Sequence, residues 1–99
     1  MADFALLKAE QQLLAAQVVR EGLSPDFVPR FIAGGDTGFE ENGTVARAAM
    51  VILHWPSLEM AEHRVARVPV TLPYVPGYLS FRECPALLAA WQQLTYRPE

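Results

Sequence analysis

Asn42-Gly43 stands between two apolar runs, and this arrangement constrains the fold more than any other feature of the chain. Both residues of such a pair accept positive φ, which a tight antiparallel hairpin requires. On one side, residues 31–39, Phe-Ile-Ala-Gly-Gly-Asp-Thr-Gly-Phe, read as a strand. On the other, residues 44–54 read as a second strand, with a nearly continuous apolar run from Ala48 to Leu53. Such a run predicts burial on both faces. Trp55-Pro56-Ser57 turns the chain again, and residues 58–70 predict a third strand. Its Glu62, Arg64 and Arg67 suit an edge, where charge discourages further pairing. Three strands joined by short turns make an antiparallel meander.

Helical periodicity frames the meander. Phe4, Leu7, Leu14 and Val18 recur at helical spacing, with Leu6, Leu13 and Val19 widening the stripe. They predict a helix over 3–21, ended by Gly22 and the loop Ser24-Pro25-Asp26, and packed on the sheet. Leu87, Leu88, Trp91 and Leu94 mark a second helix. Its start is open between two readings. Ser80 and Glu83 fit a capping box; alternatively Cys84 is the cap and Pro85 the first helical residue. The fold class is α/β, one domain over 1–99.

A chain of 99 residues buries only a modest core. With 52 % hydrophobic and 19 % charged residues it is globular rather than disordered. A net charge of −3 is not the usual footprint of a nucleic-acid binder. Met1-Ala2-Asp3-Phe4 carries no basic n-region and predicts no leader. No stretch approaches a membrane span. The single cysteine, Cys84, excludes a disulfide framework and fits a reducing, cytoplasmic compartment.

Few residues can carry chemistry. Asp36 lies inside an apolar strand beside Gly34, Gly35 and Gly38. A carboxylate there is costly to bury unless paired or metal-bound, and the glycines leave room for a ligand. The alternative is an Asp capping the coming turn. Glu83 is its natural partner, or else a helix cap. If the two converge, they suit a magnesium site completed by water and substrate phosphate. In Pro73-Tyr74-Val75-Pro76-Gly77, the prolines stiffen the backbone on either side of Tyr74 and Gly77 permits a sharp turn. Two readings follow: a Pro-rich connector with Tyr74 folded on the core, or a rigid aromatic projection. His54 and His63 have no partner at ligand spacing. Glu40 and Glu41 read as solvated hairpin acids. No His-based triad accompanies Cys84, and no phosphate-binding glycine loop is present.

The ordered set Ile32-Ala33-Gly34-Gly35-Asp36, Arg47-Ala48-Ala49-Met50-Val51, Pro73-Tyr74-Val75-Pro76-Gly77-Tyr78-Leu79-Ser80-Phe81-Arg82-Glu83 and Pro85-Ala86-Leu87-Leu88 resembles the N-terminal part of endonuclease V, the deoxyinosine 3′ endonuclease family of DNA repair. The resemblance implies a ribonuclease H-like fold. It implies magnesium-dependent cleavage of the second phosphodiester 3′ to a deaminated adenine, in DNA or in inosine-containing RNA. Asp36 matches the family's metal-binding aspartate and Glu83 its catalytic, metal-binding glutamate. Tyr74, with Pro73, Val75, Pro76 and Gly77, matches the wedge that opens the duplex at the lesion. Family members are longer and continue into a strand bearing Asp-Gly-His-Gly, whereas this sequence stops at Pro98-Glu99. An incomplete fold is therefore expected, with the edge of the first strand open to self-association. Two further readings stay open: a non-catalytic module that binds distorted nucleic acid, and a structural remnant that pairs through the open edge.

Overall fold

The computed structural model describes residues 3–99; Met1 and Ala2, the start of the segment read as lacking a leader, lie outside the described residues. The elements run α1 (Phe4–Gln17), β1 (Phe31–Glu40), β2 (Val45–His54), β3 (Met60–Pro69) and α2 (Leu79–Gln92). The strands form one antiparallel sheet in the order β1-β2-β3. β1 and β2 pair without interruption from Phe31↔His54 to Glu40↔Val45. Between them Glu41, Asn42 and Gly43 all take positive φ, so the hairpin loop spreads over more residues than Asn42-Gly43 alone. β3 pairs with β2 through a bulge: Ile52 faces Glu62 while Leu53 faces Met60.

Alternation divides the sheet into two faces. Ala46, Ala48 and Ile52 of β2, with Glu62 and Ala66 of β3, are buried beneath α2. From α2, Ala86 and Ala90 come down onto them. Four alanines with no exposed surface to speak of, Ala46, Ala48, Ala86 and Ala90, thus set the contact between helix and sheet. The opposite face carries Gly34, Asp36, Gly38, Arg47, Ala49, Val51, Val65 and Arg67, and none of the described helices packs over it. Burial of β2 on both faces is therefore not met. Its apolar run is the sheet's centre strand, covered on one side.

α1 departs further from expectation. It ends at Gln17, not near Gly22, because Val18 is already extended (ψ 125°) and its N–H returns to the Ala15 carbonyl. Asp3 caps its start, the Oδ1 accepting from the N–H groups of Ala5 and Leu6 at 3.0 and 3.2 Å. No residue of α1 is buried, and Leu6, Leu13, Leu14, Val18 and Val19 are each more than half exposed. The helix does not pack on the sheet. It lies beside α2, with a groove lined by Leu14, Val18, Phe81, Pro85 and Leu88 between them.

Neither expected start of α2 holds. The helix begins at Leu79 after Tyr78, with no side chain capping it. Ser80 and Glu83 are both already helical, so no capping box forms. Pro85 lies inside the helix rather than at its first position. It has no N–H for the Phe81 carbonyl one turn earlier. Cys84 is exposed and not at a helix terminus. No helix of the described residues is long and apolar enough to cross a membrane.

Candidate functional site

Of the two readings of Pro73–Gly77, the structure shows the exposed projection and not a connector folded on the core. The Tyr78 N–H donates to the Val75 carbonyl at 3.0 Å, and Gly77 takes φ +92°. Proline second and a positive-φ glycine third define a type II turn over 75–78. Tyr74, immediately before it, is 58 % exposed. Pro73, Pro76 and Gly77 are exposed and Val75 half-buried. The turn is tied from behind: Gln11 Nε2 of α1 donates to the Gly77 carbonyl at 2.6 Å, and the Phe4 ring meets the Tyr78 ring edge-on, centroids 5.2 Å apart.

Asp36 is not buried. It stands in the middle of β1, opposite Ala49, on the uncovered face, with its Oδ1 accepting from the Thr37 N–H at 2.9 Å. The neighbouring Gly35 shows the other side. A Cβ there would lie 2.5 Å from Met50 Sδ and 3.3 Å from Leu87 Cδ2, so Gly35 faces α2 and Asp36 faces away. A shallow cavity of about 460 Å³ on the Asp36 side is lined by Thr37, Gly38, Arg47, Ala49, Val65 and Arg67.

Glu83 stands on α2, on the covered side of the sheet. The Arg82 guanidinium sits 4.7 Å above the Phe39 ring and donates through Nη2 to the Gly43 carbonyl at 3.1 Å. Leu87 lies against Gly35. α2 therefore crosses β2 and β3 with its Leu87 side toward β1, and Glu83, one turn before Leu87, shares that side of the helix. Among the described residues Glu83 is the one partly buried acid with neither a hydrogen bond nor an ion pair. Two buried polar atoms nearby in the sequence, Thr37 Oγ1 and Arg82 Nε, also lack partners. The structure does not bring Asp36 and Glu83 into contact: Asp36 stands on the uncovered face of β1 and Glu83 on the helix that covers the other, each without a cationic partner among the described residues. Those residues form no group of three or more His, Cys, Asp or Glu side chains able to hold a metal.

Three acids have roles that spacing along the chain did not reveal. Glu40, read as a solvated hairpin acid, is shared by Arg47 Nη1 at 2.9 Å and Arg67 Nε at 3.3 Å. Glu62, read as an edge charge, is buried and accepts the backbone N–H groups of Thr95 and Tyr96. The Tyr96 N–H in particular holds its carboxyl below the ordinary glutamate range, against the opposing effect of burial; the Thr95 N–H and Arg64 act with it. Glu99 is held low by the Arg30 N–H and side chain. Its own N–H donates to the Phe31 carbonyl, on the outer edge of β1. The signal for Glu62 was its place opposite Ile52 in the sheet, visible only once the bulge at Ala61 is known.

The family model described as Endonuclease V matches residues 12–99. The catalytic domain of human endonuclease V is 35 % identical with a TM-score of 0.82, over 92 % of this chain and 40 % of that one. Endonuclease V from Streptomyces avermitilis is 32 % identical with a TM-score of 0.87, over 99 % of this chain and 43 % of that one. Endonuclease V from Ciona intestinalis, in complex with a 24mer DNA containing an inosine followed by a ribo-adenosine, shares the fold at 24 % identity and a TM-score of 0.78, over 96 % and 43 % of the two chains. The chain spans about two fifths of the length of these structures. Its two helices and three-stranded sheet are the corresponding part of their ribonuclease H-like α/β fold. By sequence and by fold, the chain belongs to the endonuclease V family.

Proposed function

We propose that this chain contributes the wedge and two acidic residues of a metal-dependent nuclease. On this reading the enzyme cuts the second phosphodiester on the 3′ side of deoxyinosine in DNA. The observation that carries the reading is Glu83: half-buried, with no hydrogen bond or ion pair, one helical turn from the Leu87 that packs against Gly35, the chain neighbour of Asp36. A partly buried carboxylate with no partner is unfavourable unless it serves a ligand. The donor set consists of carboxylate oxygens, which suits a hard cation such as magnesium. Asp36 and Glu83 would each offer carboxylate oxygens to such a cation once brought together, and the remaining positions would fall to water and substrate oxygens. A divalent cation bound there would lower the pKa of water and offset charge developing on the phosphate.

The chain's own residues supply the rest. Tyr74 presents an exposed ring on a turn whose backbone is set by Pro73, Pro76 and the Val75–Tyr78 hydrogen bond. Such a ring enters a base stack with little entropy to lose, and stacking on it offsets part of the unpairing cost. Deaminated adenine pairs weakly, so the step favours the lesion. Arg82 fixes α2 to the β1–β2 loop through Gly43 and Phe39, and with it the adjacent Glu83. The exposed thiol of Cys84 accords with a reducing, cytoplasmic setting.

Nicking of an inosine-containing duplex tests this. The chain would be assayed alone and together with a separately made C-terminal segment of a family member. Cleavage 3′ to inosine that needs magnesium and falls by at least about a hundredfold in Asp36→Ala and Glu83→Ala supports the reading. Cleavage that is indifferent to both substitutions sinks it. Lesion-dependent binding without metal, intact in Asp36→Asn and accompanied by no cleavage in either format, would leave a binding module instead.

A further inference from the structure

The cations of this acidic chain are not spread evenly. Of eight Lys and Arg residues, Arg30 pairs with Glu99, Arg64 with Glu62, Arg82 with the Gly43 carbonyl, and Arg97 with Trp91. Lys8 lies on α1 and Arg20 in the segment after it. Arg47 and Arg67 remain. They are direct cross-strand partners on β2 and β3, on the face that carries Asp36. Two like charges opposite each other in a sheet repel. Here they share a single carboxylate, Arg47 on Glu40 Oε1 and Arg67 on Glu40 Oε2. Both side chains are still about half exposed (51 % and 59 %), and most of their N–H donors face water.

We propose that Arg47 and Arg67 together hold a backbone phosphate of a nucleic-acid strand lying across the open face beside Asp36, taking the place that Glu40 occupies here. The chemistry matches in three ways. The two oxygens of the Glu40 carboxylate mimic the two free oxygens of a phosphodiester, and arginine forks suit both. The surface between the arginines and Asp36 is made of Gly38 and Ala49, so a strand can approach the backbone closely. Gly38 faces Arg47 and Asp36 faces Ala49, which puts the arginine pair one diagonal step from the aspartate. An acid presented to a polyanion repels it unless cations stand alongside. On this face these two are the cations available among the described residues. The proposal rests on the nuclease reading and deepens it.

Fluorescence anisotropy with labelled single strands, one containing inosine and one not, tests it without added divalent metal. The double variant Arg47→Ala/Arg67→Ala is expected to weaken binding of both strands roughly tenfold at low salt. The slope of log K against log salt should become shallower by about 0.7, the value for one lost phosphate contact. Glu40→Gln is expected to tighten binding several-fold, because the competing carboxylate charge is gone. Arg47→Lys/Arg67→Lys keeps the charge but loses the fork, and should fall between wild type and the alanine variant. Lys8→Ala/Arg20→Ala removes the same charge elsewhere and should change affinity less than about twofold. Circular dichroism checks the fold of each variant. Equal weakening by the two alanine pairs, or an unchanged salt slope, overturns the phosphate site while leaving the nuclease reading intact. No binding of either strand by the wild-type chain overturns the phosphate site, and the nicking assay with the C-terminal segment decides the nuclease reading separately.

Discussion

Ala48 and Ala49 are neighbours in β2 and chemically identical, yet they live in different proteins, physically speaking. Ala48 has no exposed surface and meets the helix side of the molecule. Ala49 is part of the floor of a shallow depression open to water. The same alternation separates Gly35 from Gly34 and Asp36 in β1. One face is therefore specified for packing and tolerates little change. The other carries Gly34, Gly38, Ala49, Val51 and Val65 beside two arginines and an acid, and leaves room above it.

The contrast can be broken by mutation, and the largest effect is expected at Ile52, the one large side chain fully buried among the described residues. Ile52→Ala should lower unfolding free energy by about 2–4 kcal/mol in urea titrations, whereas Val51→Ala, on the other face, should cost under about 1 kcal/mol. Comparable losses at the two positions would mean that the open face is covered in solution. Glycine substitutions sharpen the same point. Gly35→Ala drives a methyl group into Met50 Sδ and Leu87, and should cost about 1–2 kcal/mol. Gly34→Ala meets nothing within 4 Å and needs no positive φ, so it should be neutral or gain up to about 0.5 kcal/mol by restricting the unfolded chain. The smallest effect is confined to acid. Because the folded-state carboxyl of Glu62 is depressed, its stabilisation is complete above the ordinary glutamate value and lost as pH falls through the lowered one. Urea midpoints measured from about pH 5 down to pH 3 should fall less steeply in Glu62→Gln than in wild type. Glu99, depressed by Arg30, would leave a residual slope in both.

Much of this architecture was legible in the chain. The apolar runs flanking Asn42-Gly43 placed β1 and β2 to within a residue, since local pattern and turn chemistry act together there. The stiffness of the Pro-Tyr-Val-Pro-Gly run was legible because its conformational limits are intrinsic to proline and glycine, whereas the exposure of Tyr74 was not, since a stiff turn can lie on the core or off it. What was not legible depends on partners distant in sequence. The face taken by Asp36 follows from the register of β1 against α2. Glu62 turned inward because a bulge changed its phase and because Thr95 and Tyr96 offered it two N–H groups. Glu40 gained its arginines from two different strands. The stripe on α1 correctly marked a helix but not its neighbour, because amphipathic spacing says that a face is apolar without saying what meets it.

The alanines between α2 and the sheet carry one more consequence. A methyl group has no rotamers, so this contact cannot adjust by swinging side chains as a leucine-rich seam can. The distance from helix to sheet is therefore a nearly rigid gauge, determined by backbone against backbone at Ala46, Ala48, Ala86 and Ala90. Glu83 has no hydrogen bond of its own to steady it. On the proposed reading the placing of Glu83 follows from that gauge, and added volume at any of the four alanines is expected to displace its carboxylate.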